Sequence, residues 1–215
     1  MSANEVLGAL AFSALASEAE GSRSREVATI AASQTITPGT VLGKVVRGSI
    51  TNRTGVSRTG NGTIGTLTRS GLALVGAYTV QCIAAATNGG TFAVLDPLGR
   101  RLADAVVGTA YAGEVGFTIA DGSADFIVGD AFILDVAAGS GQYEALDLAA
   151  TDGTQTAVAV AMQHAATGVG ETAQIVAIVR DAEVKLDQLA WPSGITTDQK
   201  NAALAKLAEV GLIAR

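Results

Sequence analysis

Asp187-Gln188-Leu189-Ala190-Trp191-Pro192, continued by Thr196 through Leu212, is the stretch on which the fold turns. Val184, Leu186 and Leu189 lead into it as an extended run. Pro192 ends that run, because its ring crowds the preceding residue and disfavours helix at Trp191. The one convincing helix of the chain follows. Thr196 and Gln199 have capping-box spacing, Leu204 and Leu207 share a face, and Gly211 suits the position after a helix end, with Leu212 folding back. The lone tryptophan therefore stands at a strand-to-helix corner, where its ring is expected to fill the space between sheet and helix. Its loss would then cost roughly 3–5 kcal/mol, the range for truncating a buried aromatic.

Upstream, the texture is β. Hydrophobic residues make up 48% of the 215, but mostly as Ala and Val, with aromatics at 4%; 26 glycines and many threonines separate short apolar runs. Such spacing belongs to short strands joined by tight turns. Residues 155–162 and 174–179 read as strands before the corner, and residues 27–32 and 41–46 read as strands joined through Thr37-Pro38-Gly39. Between these groups lies a regular series at 77–84, 91–95, 115–119, 126–128 and 132–136. Turn signals divide it: Asn88-Gly89-Gly90, Asp96-Pro97-Leu98-Gly99, Asp121-Gly122 and Gly129-Asp130. This spacing suggests an antiparallel sandwich or barrel of the immunoglobulin-like kind. Its borders, Gly/Thr/Asn/Arg-rich 51–70 and Ala138-Gly139-Ser140-Gly141-Gln142, look flexible.

The chain therefore reads as mainly β in three parts. Residues 1–26 form an arm with no apolar period of its own, expected to be removable without unfolding. Residues 27–51 and 143–215 form a small β-rich core with the C-terminal helix, and residues 52–142 form an inserted β domain.

The formal charge of −6 is unevenly spread. Residues 20–70 carry a net +5 and residues 71–160 a net −8, which favours a basic part docked on something acidic and an acidic part facing water. Nucleic acid is not an expected partner, since the basic residues are dispersed and not interleaved with aromatics. No run approaches a membrane span, and the apolar stretch 6–16 lacks the basic flank of a secretory signal, so a soluble chain made in the cytoplasm is expected.

Catalysis needs converging titratable groups, and these are scarce. His164 is the only histidine, no Gly-x-Ser-x-Gly elbow occurs, and Cys82 lies in an apolar run as a small hydrophobe. Gly60-Asn61-Gly62-Thr63-Ile64-Gly65 matches a dinucleotide fingerprint literally, yet no buried strand precedes it and no helix follows, so it reads as a turn. Asp121, Asp125 and Asp130 lack EF-hand spacing and read as acidic turns. The expectation is a chain with no enzymatic role, no metal and no cofactor.

Read together, Thr151-Asp152-Gly153 before an Ala/Val-rich strand, Asp187 to Pro192, and the capped helix ending near Leu212-Ile213 resemble the head decoration proteins of tailed bacteriophages, the phage lambda protein D type. Ser17-Glu18-Ala19-Glu20-Gly21 and Ser24-Arg25-Glu26 resemble the arm of longer members. The resemblance covers residues 17–50 and 143–215; the compact lambda-type protein lacks the insert. It implies a homotrimer at threefold positions on the outer surface of the virion, holding adjacent copies of the major capsid protein together. The arm residues Ser17, Glu18, Arg23, Arg25 and Glu26 would contact the capsid, and Trp191 and Pro192 would serve the core or an interface. Competing readings are a tail or baseplate component with a display domain, and a virion-surface adhesin whose inserted domain binds a host glycan.

Overall fold

A computed structural model of the chain describes residues 10–215; the first nine residues of the expected arm lie outside the described residues. The chain divides into two compact units, one running up to Val46 and resuming over Gly141–Arg215, the other formed by Arg47–Ser140.

In the first unit, strand Ala159–Ala161 is buried along its whole length because its alternate residues serve two cores. Ala159 and Ala161 pack inside a barrel with Ile30, Leu42, Ile175 and Ala177. Val160 points the other way and packs with Val41, Ile178, Leu189, Ala203 and Leu207. The barrel closes in the order Tyr143–Ala145, Arg25–Ile30, Ala173–Ile178, Ala159–Ala161 and Val41–Lys44. Tyr143 pairs with Ile30 in parallel, and the other junctions are antiparallel. So few strands enclose a narrow interior, which accounts for alanines at Ala28, Ala159, Ala161 and Ala177.

A second layer covers the outward core. It consists of the sheet Leu15–Glu18, Ala182–Val184, Leu212–Ala214 and the helix Thr197–Glu209. The helix begins as expected: the Thr196 hydroxyl accepts from Gln199 N at 3.2 Å, and the Gln199 carboxamide accepts from Thr196 N at 2.9 Å. At its other end Gly211 adopts φ +83° and Leu212 is buried.

The described part of the arm differs from expectation. Leu15–Glu18 pairs with Ala182–Val184, Ala14 is fully buried, and Phe12 and Leu15 pack against the outward core. The division between units also differs. Arg47–Asn52 pairs with Ala131–Ala138 and so belongs to the insert, whereas Gly141 and Gln142 exchange backbone hydrogen bonds with Val45, each 2.9 Å, and belong to the barrel unit.

The inserted unit has two antiparallel sheets. One runs Arg47–Asn52, Ala131–Ala138, Gly76–Ala86, Gly89–Leu95, Ala105–Val106; the other runs Ala110–Ala112, Val115–Ala120, Thr63–Arg69. Period-two residues of both sheets meet in one core: Tyr78, Val80 and Cys82 with Phe132, Leu134 and Val136, against Val115, Phe117 and Ile119. Phe126 meets Phe92 edge-on, with ring centroids 5.1 Å apart. The uneven charge along the sequence is largely cancelled by this folding. Residues 47–140 hold six basic and seven acidic side chains, and Arg53 pairs with Asp135 at 2.9 Å. The insert is not the strongly acidic body that the linear charge count suggested.

Two buried polar groups give the insert a bounded pH range. Burial pushes the Asp130 carboxyl up, but amide donors from Thr59, Gly60 and Ile127 and the Arg58 charge outweigh it and hold the group below its ordinary value. Its contribution is therefore present above the unfolded pKa and lost as pH falls through the folded one. Tyr78 lies on the alkaline side: burial first, and its 2.6 Å hydrogen bond to Glu114 second, push the phenol up to about 12. That contribution is complete below the unfolded value of about 10 and declines as pH rises toward the folded one. The stability gap between wild type and Tyr78→Phe, followed by urea melts, is accordingly expected to shrink as pH rises from about 10 to 12. A gap independent of pH in that window would disprove the coupling.

The insert leaves the barrel through neighbouring residues. Arg47 and Ala138 are strand partners, and on the barrel side Lys44 pairs with Tyr143. Replacing residues 47–140 by a short Gly/Ser turn is therefore expected to convert the two barrel strands into an ordinary hairpin, leaving the barrel folded with its melting transition preserved. Loss of that transition in circular dichroism would mean that the insert supports the barrel.

Candidate functional site

The sequence-predicted arm residues come together, but as an internal ion-pair cluster. Glu18 accepts from the Ser24 hydroxyl and from Arg25. Arg25 also lies over the Phe12 ring, 4.8 Å from its centroid. Arg23 pairs with Asp181 at 2.8 Å, Glu26 with Arg180 at 2.8 Å, and Ser17 donates to Glu183 at 3.0 Å. The Arg25 hydrogen bond, then that from Ser24, holds the Glu18 carboxyl below its usual range. These side chains fasten the first strand and the turn Gly21–Ser24 to the barrel. Arg23 and Arg25 are therefore not free cations awaiting an acidic partner.

Trp191 and Pro192 lie elsewhere in the unit, both half-buried. Their segment is held by its backbone. Ala190 N donates to Gly39 O at 2.9 Å, and Ala190 O accepts from Val41 N at 3.2 Å, so the Thr37-Pro38-Gly39 turn docks onto the stretch before Trp191. Trp191 packs against the outward core, whose members include the helix residues Ala203 and Leu207, but it is partly buried and not the fully buried residue that the sequence led us to expect.

From this corner a furrow runs along the barrel unit. A depression of about 200 Å³ is lined by Val41, Leu146, Ala190, Trp191 and Pro192. Pro192 also borders a second, of about 240 Å³, with Leu148, Ile195 and Gln199. Leu148 and Gln199 in turn border a third, of about 230 Å³, with Ala157, Ala202, Ala203 and Lys206. The loop carrying Leu148 forms the shared wall; sequence reading missed it because no periodicity marks residues 147–150. The first and third depressions are mostly apolar, whereas the middle one mixes Leu148, Pro192 and Ile195 with the polar Asp147, Ser193 and Gln199. Asp147 and Lys206 are the charged members of the furrow, at different depressions, so it offers shape and apolar surface without converging acid or base.

The other chemical candidates are placed as follows. His164 is exposed beyond strand Ala159–Ala161. The Gly60-to-Gly65 stretch, read as a turn, is irregular only over Gly60-Asn61-Gly62, with Gly60 N donating to Asp130, and from Thr63 it is part of strand Thr63–Arg69. Cys82 is buried, and burial pushes its thiol up. Among the described residues no group of three His, Cys, Asp or Glu is placed to hold a metal ion. No helix among them is long and apolar enough to cross a membrane.

Against known proteins, a family model described as bacteriophage lambda head decoration protein D (HDPD) matches residues 8–212. No curated protein matches. Among solved structures, two crystal forms of Xanthomonas campestris FlgL, in space groups H3 and C2, are each 20% identical to this chain with a TM-score of 0.33. Both matches cover 50% of this chain, and 34% and 33% of the respective FlgL chains, so the chain spans about a third of their length.

Proposed function

The chain belongs to the bacteriophage lambda head decoration protein D family, and from that membership we propose that it binds the outer surface of a phage head as a homotrimer and stabilises the lattice of major capsid protein. The family is one of head structural proteins, and the observation carrying the proposal is the span of the match, which takes in both halves of the interrupted barrel unit. A threefold lattice position takes three equivalent copies, and many such copies add modest interfaces into a large total without any catalytic group.

Within the barrel unit the furrow through Trp191, Pro192 and Leu148 is the surface we assign to the capsid protein. It is concave, and Leu148 is 36% exposed at its wall. The ion-paired residues Glu18, Arg23, Arg25 and Glu26 and the hydrogen-bonded Ser17 fix the first strand to the unit, and in this reading they add a second contact with the capsid through their exposed faces.

The test is to add purified protein to expanded heads that lack it and to image the particles. Density for three copies at each threefold position, retained when residues 47–140 are excised, is the expected result; undecorated heads would overturn the reading. Trp191→Ala, truncating a half-buried ring, is expected to cost about 1–3 kcal/mol in melts, less than a fully buried aromatic, and to reduce capsid occupancy at temperatures where the barrel stays folded. Full occupancy by a folded variant would place the contact elsewhere.

A further inference from the structure

The dipeptide Asn-Gly occurs twice, at Asn61-Gly62 and Asn88-Gly89, in different surroundings. Asn61 is locked: its carboxamide nitrogen donates to Ser123 Oγ at 2.8 Å, and its oxygen accepts from Ala124 N at 2.9 Å. Gly62 is buried, and a Cβ built on it would lie 2.4 Å from the Phe126 ring and 2.5 Å from Ala120 O. Asn88, at the tip joining Gly76–Ala86 to Gly89–Leu95, is exposed and left-handed, with φ +53°. Its backbone N–H donates to Asp125 Oδ1 at 2.9 Å, but its carboxamide has no hydrogen-bond partner among the described residues.

We propose that Asn88 is a site of spontaneous deamidation and isoaspartate formation, and that the fold protects Asn61 from the same reaction. The Gly89 backbone nitrogen gives up its proton to solvent base and attacks Asn88 Cγ. The bond from Cγ to the side-chain nitrogen breaks, ammonia leaves with the proton returned from solvent, and a five-membered succinimide remains. Water opens that ring at either carbonyl, giving aspartate or isoaspartate; one water is consumed and one ammonia released, with no oxidation. Glycine favours the attack because no side chain shields its nitrogen, and the free Asn88 carboxamide can turn toward it. At Asn61 the same ring closure would require breaking both carboxamide hydrogen bonds inside a loop packed on Phe126. Conversion at Asn88 sets a new carboxylate beside Asp125, and the isoaspartyl form adds one backbone atom to the hairpin tip.

Trypsin separates the two sites, since cleavage after Arg58, Arg69 and Arg100 yields residues 59–69 with Asn61 and residues 70–100 with Asn88. The full chain is incubated in mildly alkaline buffer, native or in denaturant, then digested and analysed by mass spectrometry with separation of aspartyl and isoaspartyl peptides. Native protein is expected to accumulate both products in residues 70–100 while residues 59–69 stay unconverted; in denaturant both peptides convert. Equal native rates would overturn the protection of Asn61, and conversion at Asn88 only in denaturant would overturn the site itself. Gly89→Ala is a direct check of the attacking nitrogen. A Cβ there lies 3.8 Å from Ala86 Cβ and from Thr87 O, an ordinary contact distance, and meets no left-handed φ, so the variant folds and most of the native conversion is lost. Undiminished conversion in that variant would also overturn the mechanism.

Discussion

Gly153→Ala is expected to lower the stability of the barrel unit by roughly 3–5 kcal/mol, summing backbone strain with overpacking. Gly153 sits at φ +122°, where a side chain is strained whatever the space, and a Cβ there would lie 2.4 Å from Lys44 O and 2.6 Å from Val46 Cγ2. Neither neighbour can yield cheaply. Val46 N donates to Asp152 O at 2.9 Å, and Lys44 is paired to Tyr143 within the barrel. The turn is held from its other side as well, where Asp152 Oδ1 accepts from both the backbone and the hydroxyl of Thr154, and Thr154 lies against Gly43. Against a total stability of about 5–15 kcal/mol for a domain, such a loss leaves little margin. Trp191, the lone tryptophan, lies in the barrel unit, so its fluorescence in urea melts reports this unit alone. A wild-type midpoint would show that the turn relaxes without cost.

Removal of residues 1–18 is expected to be comparably damaging, at about 3–5 kcal/mol, because it deletes an edge strand together with buried side chains. Ala14 is fully buried, Phe12 and Leu15 pack on the outward core, and Glu18 partners Arg25 at the start of a barrel strand. Removal of residues 1–9 alone spares all of these contacts. Comparing the melts of chains beginning at residues 10 and 19 separates the two cases. Equal midpoints would restore the reading of the whole segment as a dispensable arm.

The contrast between that segment and the C-terminus shows what can be read from sequence and what cannot. The helix was legible because its signals are local: Thr196, Gln199 and Gly211 lie within one short stretch and each acts on its own backbone. The insert strands were legible because Tyr78, Val80 and Cys82 alternate with exposed or half-buried neighbours. Leu15–Glu18 has four residues and a partner far along the chain, so no period could form within it. The crossing from barrel to insert was hidden for another reason. Between Lys44 and Arg47 stand only Val45 and Val46, with no Pro, Gly or Asn to mark the crossing, and only pairing distinguishes Val41–Lys44 from Arg47–Asn52. The furrow wall at Leu148 left no pattern because its apolar face is assembled from a loop and a helix, not from one element.

The adjacency of Arg47 and Ala138 also bears on the order in which the chain folds. Strands Val41–Lys44 and Tyr143–Ala145 are separated by the whole insert in sequence, and pairing them first would close a long loop. Once the insert has folded, its joined ends shorten that loop to a few residues. At about 0.6 kcal/mol per doubling of loop length, the saving is about 2–3 kcal/mol. Pairing that is remote along the chain then becomes kinetically local. The barrel is thus set to fold after its own insert, and a change that slows folding of residues 47–140 will delay the barrel without touching a residue of it.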